Sequence, residues 1–244
     1  MDLERITHPL RLARGSHQPE SGKGCAMNAI SYINGDAQIT DFPATSARPL
    51  ASFVQVCNDL LAGPDGYLSP EDSVVVLDLG WLTVGTADVA DTVIHRWVTK
   101  LLISPPWGVV RYADNAAAEA ISDIAELHRK LVPGDMPSIA AWDSAARAAS
   151  TTPVTADWYA VRAAYQSTAL VETDDWDTLD AVTGNALKAH RLANGDAGAA
   201  RILDVTRHAV RLWRRLAGLS VVSNVPPSVA SAVQRKGAAA EPTP

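Results

Sequence analysis

Apolar side chains recur at helical spacing along most of the chain. Leu50, Phe53, Val54, Cys57, Leu60 and Leu61 share one face of a helix expected over residues 51–61, with Pro49 in its first helical position. Val89, Val93, Trp97 and Leu101 recur every four residues through 89–103, which leaves His95 and Arg96 off the apolar stripe. Ala117, Ile121, Ile124 and Leu127 mark a long alanine-rich helix over 107–131, kinked near Asn115. Further helices are predicted over 137–149, 155–171, 174–193 and 196–216. The run Val74-Val75-Val76-Leu77 resembles a strand in isolation. Ser69-Pro70-Glu71-Asp72 before it supplies a capping hydroxyl, a first-position proline and first-turn carboxylates, so a helix to about Leu82 is predicted instead. Capped starts are also expected at Asp88, Asp135 and Thr155.

The N-terminal stretch breaks this pattern. Gly15, Gly22 and Gly24 rule out a helix before Lys23 and predict a tight, irregular loop. From Cys25 the spacing turns helical, with Met27, Ile30 and Ile33 in register and Gly35 placed as a left-handed C-terminal cap. This head carries too much apolar surface to stand free, and is expected to pack on the helical body. His17 lies in the loop and Cys25 at the helix start. One reading makes them a site: a helix N-terminus lowers a thiol pKa, and His17 serves as base or metal co-ligand. The other makes His17 a structural hydrogen-bonding residue and Cys25 a small buried apolar one. The second is preferred, because a lone His and a lone Cys eight apart match no ligand spacing.

The head also carries a resemblance. Gly15-Ser16-His17-x-Pro19-x-x-Gly22, then Cys25-Ala26-Met27, then Tyr32-Ile33-x-Gly35-Asp36, then Thr40-Asp41-Phe42-Pro43, is similar to the opening of a group of uncharacterised proteins. Those proteins are encoded by actinobacteria and by the phages that infect them. The resemblance covers residues 6–62 and, loosely, the alanine-rich remainder. Asn28 stands where members often have Glu, and Thr45 where they often have Cys. The resemblance supplies a context, actinobacterial or phage, and carries over no activity.

Composition narrows the class. The 244 residues are 47% hydrophobic but only 6% aromatic, which favours close-packed helices over sheets. The fold expected is all-α: an array of antiparallel helical hairpins with an irregular glycine-rich arm. Three regions are expected: 1–104, holding arm, head and helices; 105–219, the hairpin region; and 220–244, a weakly structured tail. Ser104-Pro105-Pro106 marks the internal boundary. A net charge of −6 provides no global field for nucleic acid or acidic membrane. Two cysteines, no basic-plus-apolar leader and no long apolar run point to a cytoplasmic protein that does not enter a membrane.

Four more features bear on chemistry. A weak repeat pairs Leu127-His128-Arg129 before Gly134-Asp135 with Ala189-His190-Arg191 before Gly195-Asp196, each leading to a helix with a tryptophan, Trp142 or Trp213. The histidines and arginines there suit helix C-termini as positive charges. Glu172, Asp174, Asp175, Asp177 and Asp180 form an acidic cluster, read as the first turn of a helix rather than a cation site. Arg201, Arg207, Arg211, Arg214 and Arg215 make the last long helix basic; Arg207, Arg211, Arg214 and Arg215 are the partner-binding candidates, weighed against a solvated face paired with acidic neighbours. The seven tryptophans read as core anchors. No zinc-protease, phosphate-loop or nucleophile-elbow spacing occurs. The leading expectation is a non-enzymatic helical protein with a protein partner and no cofactor. The alternatives are a metal- or thiol-dependent enzyme centred on His17 and Cys25, and a nucleic-acid binder using residues 201–215.

Overall fold

The computed structural model describes residues 11–15, 23–150, 156–170 and 176–220, the side chains of Ala156 and Trp176 excepted. Among these the chain forms nine α-helices and no strand. They are α1 (Ala26–Asn34), α2 (Arg48–Leu61), α3 (Pro70–Trp81), α4 (Asp91–Ile103), α5 (Asn115–Leu131), α6 (Ile139–Ala148), α7 (Ala156–Ser167), α8 (Trp176–Ala193) and α9 (Gly198–Leu216). The fold is an all-α, multi-helix array.

Some starts follow the sequence closely. Ser69 Oγ accepts from the Asp72 N–H at 3.0 Å, so the valine run is the helix that its cap predicts. Gly35 closes α1 at φ 77°, in the left-handed region where a side chain is costly. Other starts are corrected. The single helix expected over 107–131 is two elements, a 3₁₀ turn (Val109–Tyr112) and α5, because Asp114 accepts from the Ala117 N–H at 2.8 Å and starts a new helix. Asp88 is no cap: it sits at φ 56° in a turn, and α4 begins later, behind Ala90. Ser138 rather than Asp135 caps α6, through a 3.2 Å bond from Ala141 N–H. Asp196 falls in a 3₁₀ turn (Gly195–Ala197) ahead of α9. The first residue of α9 must be small, since a Cβ on Gly198 would run into the Arg191 carbonyl oxygen. Thr155 lies outside the described residues.

The body is organised around α2, which packs against α1, α3, α8 and α9, and around the α7–α8 and α4–α5 pairs. At the centre Trp97 meets Phe53 and Trp213 edge-on, each pair with ring centroids 5.6 Å apart. Such pairs contribute about 0.5–1.5 kcal/mol each beyond area burial. Both indole N–H groups are satisfied, Trp97 by Ala209 O at 3.0 Å and Trp213 by Thr86 O at 3.3 Å. One buried cluster runs from Leu12 to Trp213, so helices on both sides of Ser104-Pro105-Pro106 contribute to it. Trp107 and Trp142 are buried as anchors should be, whereas Trp81 and Trp158 are only half-buried.

The head does pack on this body. Met27 and Ile30 are fully buried, and Ile30 fits against the bare backbone of Gly80 in α3. The arm is tied down by Ala13 N–H to Gly24 O, Leu68 N–H to Leu12 O and Asn58 Nδ2 to Ala13 O, each at 2.9 Å. Ile33, in register with them, is turned outward, as is Tyr32.

Candidate functional site

Cys25 is the N-cap residue of α1, as the sequence suggests, but its chemistry is the reverse of a reactive thiol. The residue is fully buried, and its Sγ donates to Asp41 Oδ1 at 3.3 Å. Burial pushes the thiol up to about 12; the Asn28 and Met27 backbone N–H groups pull the other way, and the Asp41 charge adds to the rise. The lowered pKa of the site reading is therefore overturned, since desolvation and a carboxylate outweigh the helix dipole, and Cys25 is the small buried residue of the preferred reading. Asn28 completes the arrangement. Its Oδ1 accepts from the Cys25 N–H at 3.1 Å, and its Nδ2 donates to Asp41 Oδ1 at 2.9 Å. Asn58 reaches in from α2, accepting from the Ala26 N–H at 3.3 Å. The result is a closed polar lock holding α1 to α2 and to the 36–43 connector. His17 lies outside the described residues. Cys57 is core, as expected, with burial pushing it up to about 12.

The feature that sequence reasoning missed is a pair of buried histidine networks. His128, expected as a positive charge at a helix end, is instead buried and neutral. Its Nε2 lies 3.0 Å from Ser167 Oγ, and Ser167 Oγ donates to the Ala164 carbonyl at 2.7 Å. A carbonyl only accepts, so the serine proton is committed there and the serine must accept from His128 Nε2–H. That leaves His128 Nδ1 bare, to accept from His95 Nδ1–H at 3.2 Å. His95 thus lies inside, against the expectation that it falls off the apolar stripe of α4. The two rings stack, and Trp142 meets His128 edge-on at 5.0 Å. Burial drives His128 down to about 3, with the His95 charge adding to it; burial lowers His95 too, against Asp91.

His190, also expected to be charged, is buried on the other side of the repeat. Asn194 Nδ2 donates to Tyr112 OH at 3.1 Å, and Tyr112 OH lies 2.8 Å from His190 Nδ1. A tyrosine donating to Nδ1 leaves the ring proton on Nε2, which is buried without a hydrogen-bond partner. The Trp107 backbone beside it favours the charged form, but burial and the Arg201 charge outweigh it. Burial, then the Arg201 charge, brings His190 to about 3.

The basic helix is divided by the fold. Arg214, proposed from sequence as partner-binding, is buried and bonds the carbonyls of Val84 at 3.0 Å and Ser220 at 2.7 Å. It is a structural clamp between α9 and the turn after α3. Arg207 pairs with Asp204 at 3.2 Å, as a solvated face would. Arg211 and Arg215 are exposed. In the acidic cluster, Asp180 pairs with Arg48 at 3.2 Å and Asp177 faces water; Glu172, Asp174 and Asp175 lie outside the described residues. Among the described residues no group of three or more His, Cys, Asp or Glu side chains could hold a metal ion. Nor is any helix among them long and apolar enough to cross a membrane. A small cleft of about 170 Å³ is lined by Ala149, Ser150, Trp158, Val161, Arg162 and Tyr165, which supply no acid–base pair. Comparison with protein-family models, curated proteins and solved structures finds no match.

Proposed function

We propose that this chain is a non-enzymatic helical interaction protein whose partner is another protein. The observation that carries the reading is the turn between α5 and α6. Met136 is 71% exposed and Ile139 79%, three residues apart around the capping Ser138. Among the described residues no other large apolar side chain is exposed as far, so two such groups at one tip stand out. Exposed Tyr32 and Ile33 at the end of α1 offer a second, smaller apolar point. The likeness of the head to actinobacterial and phage proteins adds a context of mobile elements to this reading. The alternative of a thiol- or metal-dependent enzyme draws no support from Cys25, whose proton is held by burial and Asp41.

The test is quantitative affinity isolation from the native host with the intact chain and a Met136→Ser/Ile139→Ser variant. One protein recovered near equimolar amounts by the intact chain and lost by the variant, with an unchanged melting temperature, is the expected result. Failure of the intact chain to hold any protein at that ratio overturns the reading. So does a turnover reaction abolished by Cys25→Ser in a protein that still melts normally.

A further inference from the structure

The carbonyl oxygen of Pro106 accepts from two guanidiniums at once, Arg111 Nη1 at 3.0 Å and Arg201 Nη2 at 2.7 Å. Two cations brought to one oxygen repel each other, and an anion between them would relieve that repulsion. Among the described residues no carboxylate forms an ion pair with either. The rest of α9 adds charge of the same sign. At about 100° per residue, Arg201, His208, Arg211 and Arg215 lie within one face about 80° wide. Asp204 falls on that face as well, but Arg207 engages its carboxylate at 3.2 Å. The His208 ring packs 5.2 Å from Trp107, which fixes α9 against the Pro106 turn. Burial lowers the pKa of His208, and Arg215, Arg201 and Arg211 each lower it further, so the local field is positive. This concentration runs against a chain of net charge −6. Each guanidinium commits one N–H to Pro106 and keeps its other donors, in a fork that matches a tetrahedral oxyanion.

We propose that Arg111 and Arg201, flanked by His208, Arg211 and Arg215, form a binding site for a phosphate-type oxyanion, best matched by a small polyphosphate. The paired guanidiniums would take one phosphate group and the flanking arginines the next. Trp107 is buried and offers no platform for stacking bases, which favours a compact ligand over a single-stranded nucleic acid. The site shares no residue with the Met136–Ile139 tip, so either can fail alone.

The full chain is titrated by calorimetry with sodium tripolyphosphate in about 0.1 M salt, where long-range attraction is largely screened. A single-stranded oligonucleotide is titrated in parallel. Saturable tripolyphosphate binding is expected, at least about tenfold weaker in Arg111→Gln/Arg201→Gln. It should be unchanged in Arg129→Gln, whose guanidinium is held by Glu126. If the double variant does not melt cooperatively, Arg111→Gln alone replaces it; that side chain is exposed, and its loss should still weaken binding at least about threefold. Absence of saturable binding, or equal weakening by Arg129→Gln, overturns the proposal. Tighter binding of the oligonucleotide than of tripolyphosphate overturns the assignment to a small ligand and points to nucleic acid.

Discussion

His128 and His190 stand in the same local sequence, each followed by an arginine near a helix end and by a Gly-Asp turn. Both are buried, and burial lowers the pKa of each to about 3. Their surroundings differ. His128 has a partner on each ring nitrogen, one from α4 and one from the end of α7. His190 has Tyr112 on one nitrogen, and on the other only the Trp107 backbone nearby, short of a full hydrogen bond. The first network is closed by other helices; the second is closed on one side only. A shared local signature thus sets the direction of a side chain but not the groups that receive it.

Acid should test what the two histidines share, and gives the largest effect. A histidine whose folded pKa lies below its unfolded value binds fewer protons when folded. Its stabilising contribution is complete above the unfolded value of about 6.5 and falls as pH drops from there toward about 3. Each of the two should remove about 1.4 kcal/mol per pH unit across that window. Urea unfolding between pH 7 and 4.5 measures the slope. A flat profile would mean that water reaches the rings.

Truncation should then separate the two. His128→Ala strands the His95 N–H, leaves Ser167 without its donor and opens a cavity beside Trp142, for a loss of about 3–4 kcal/mol. His190→Ala removes an already unpaired N–H along with the ring, so a loss of about 2 kcal/mol is expected. Equal losses in chemical denaturation would show that the open nitrogen of His190 carries no penalty. Tyr112→Phe should cost about 1–2 kcal/mol by leaving Nδ1 of His190 buried and bare. The smallest effect belongs to Arg129→Ala, the exposed partner of Glu126 beside His128. It should leave the melting temperature unchanged within the error of a careful melting comparison, because an exposed pair is screened by solvent.

Much of the scaffold was legible because it rests on local rules. The cap at Ser69, the glycine stop at Gly35 and the apolar face of α2 each follow from residues within a turn or two of one another. The misplaced starts at Asp88, Asp135 and Asp196 have a local cause as well. Several acceptors stood close together, and the backbone used Ser138 for α6 and no side chain at all for α4 and α9. The chemistry was less legible. The sequence favours a buried Cys25 over a reactive one only because ligand spacing is missing; the pKa itself is decided by burial against α2 and by Asp41, sixteen residues away. Arg214 was grouped with the surface arginines because its neighbours in sequence are basic; its fate depends on carbonyls more than a hundred residues earlier.

The sequence by itself determined that this chain is helical, where most of its helices run and that α1 must bury Met27 and Ile30, because periodicity and capping act over a few residues. Only the tertiary structure decided which polar groups are charged. Ionisation depends on how much water remains and which dipoles face the group, and those are set by helices that meet from distant parts of the chain. His95, His128 and His190 became neutral core residues in that way, Cys25 became inert, and Arg111 came to share one carbonyl with Arg201 from the far end of the sequence.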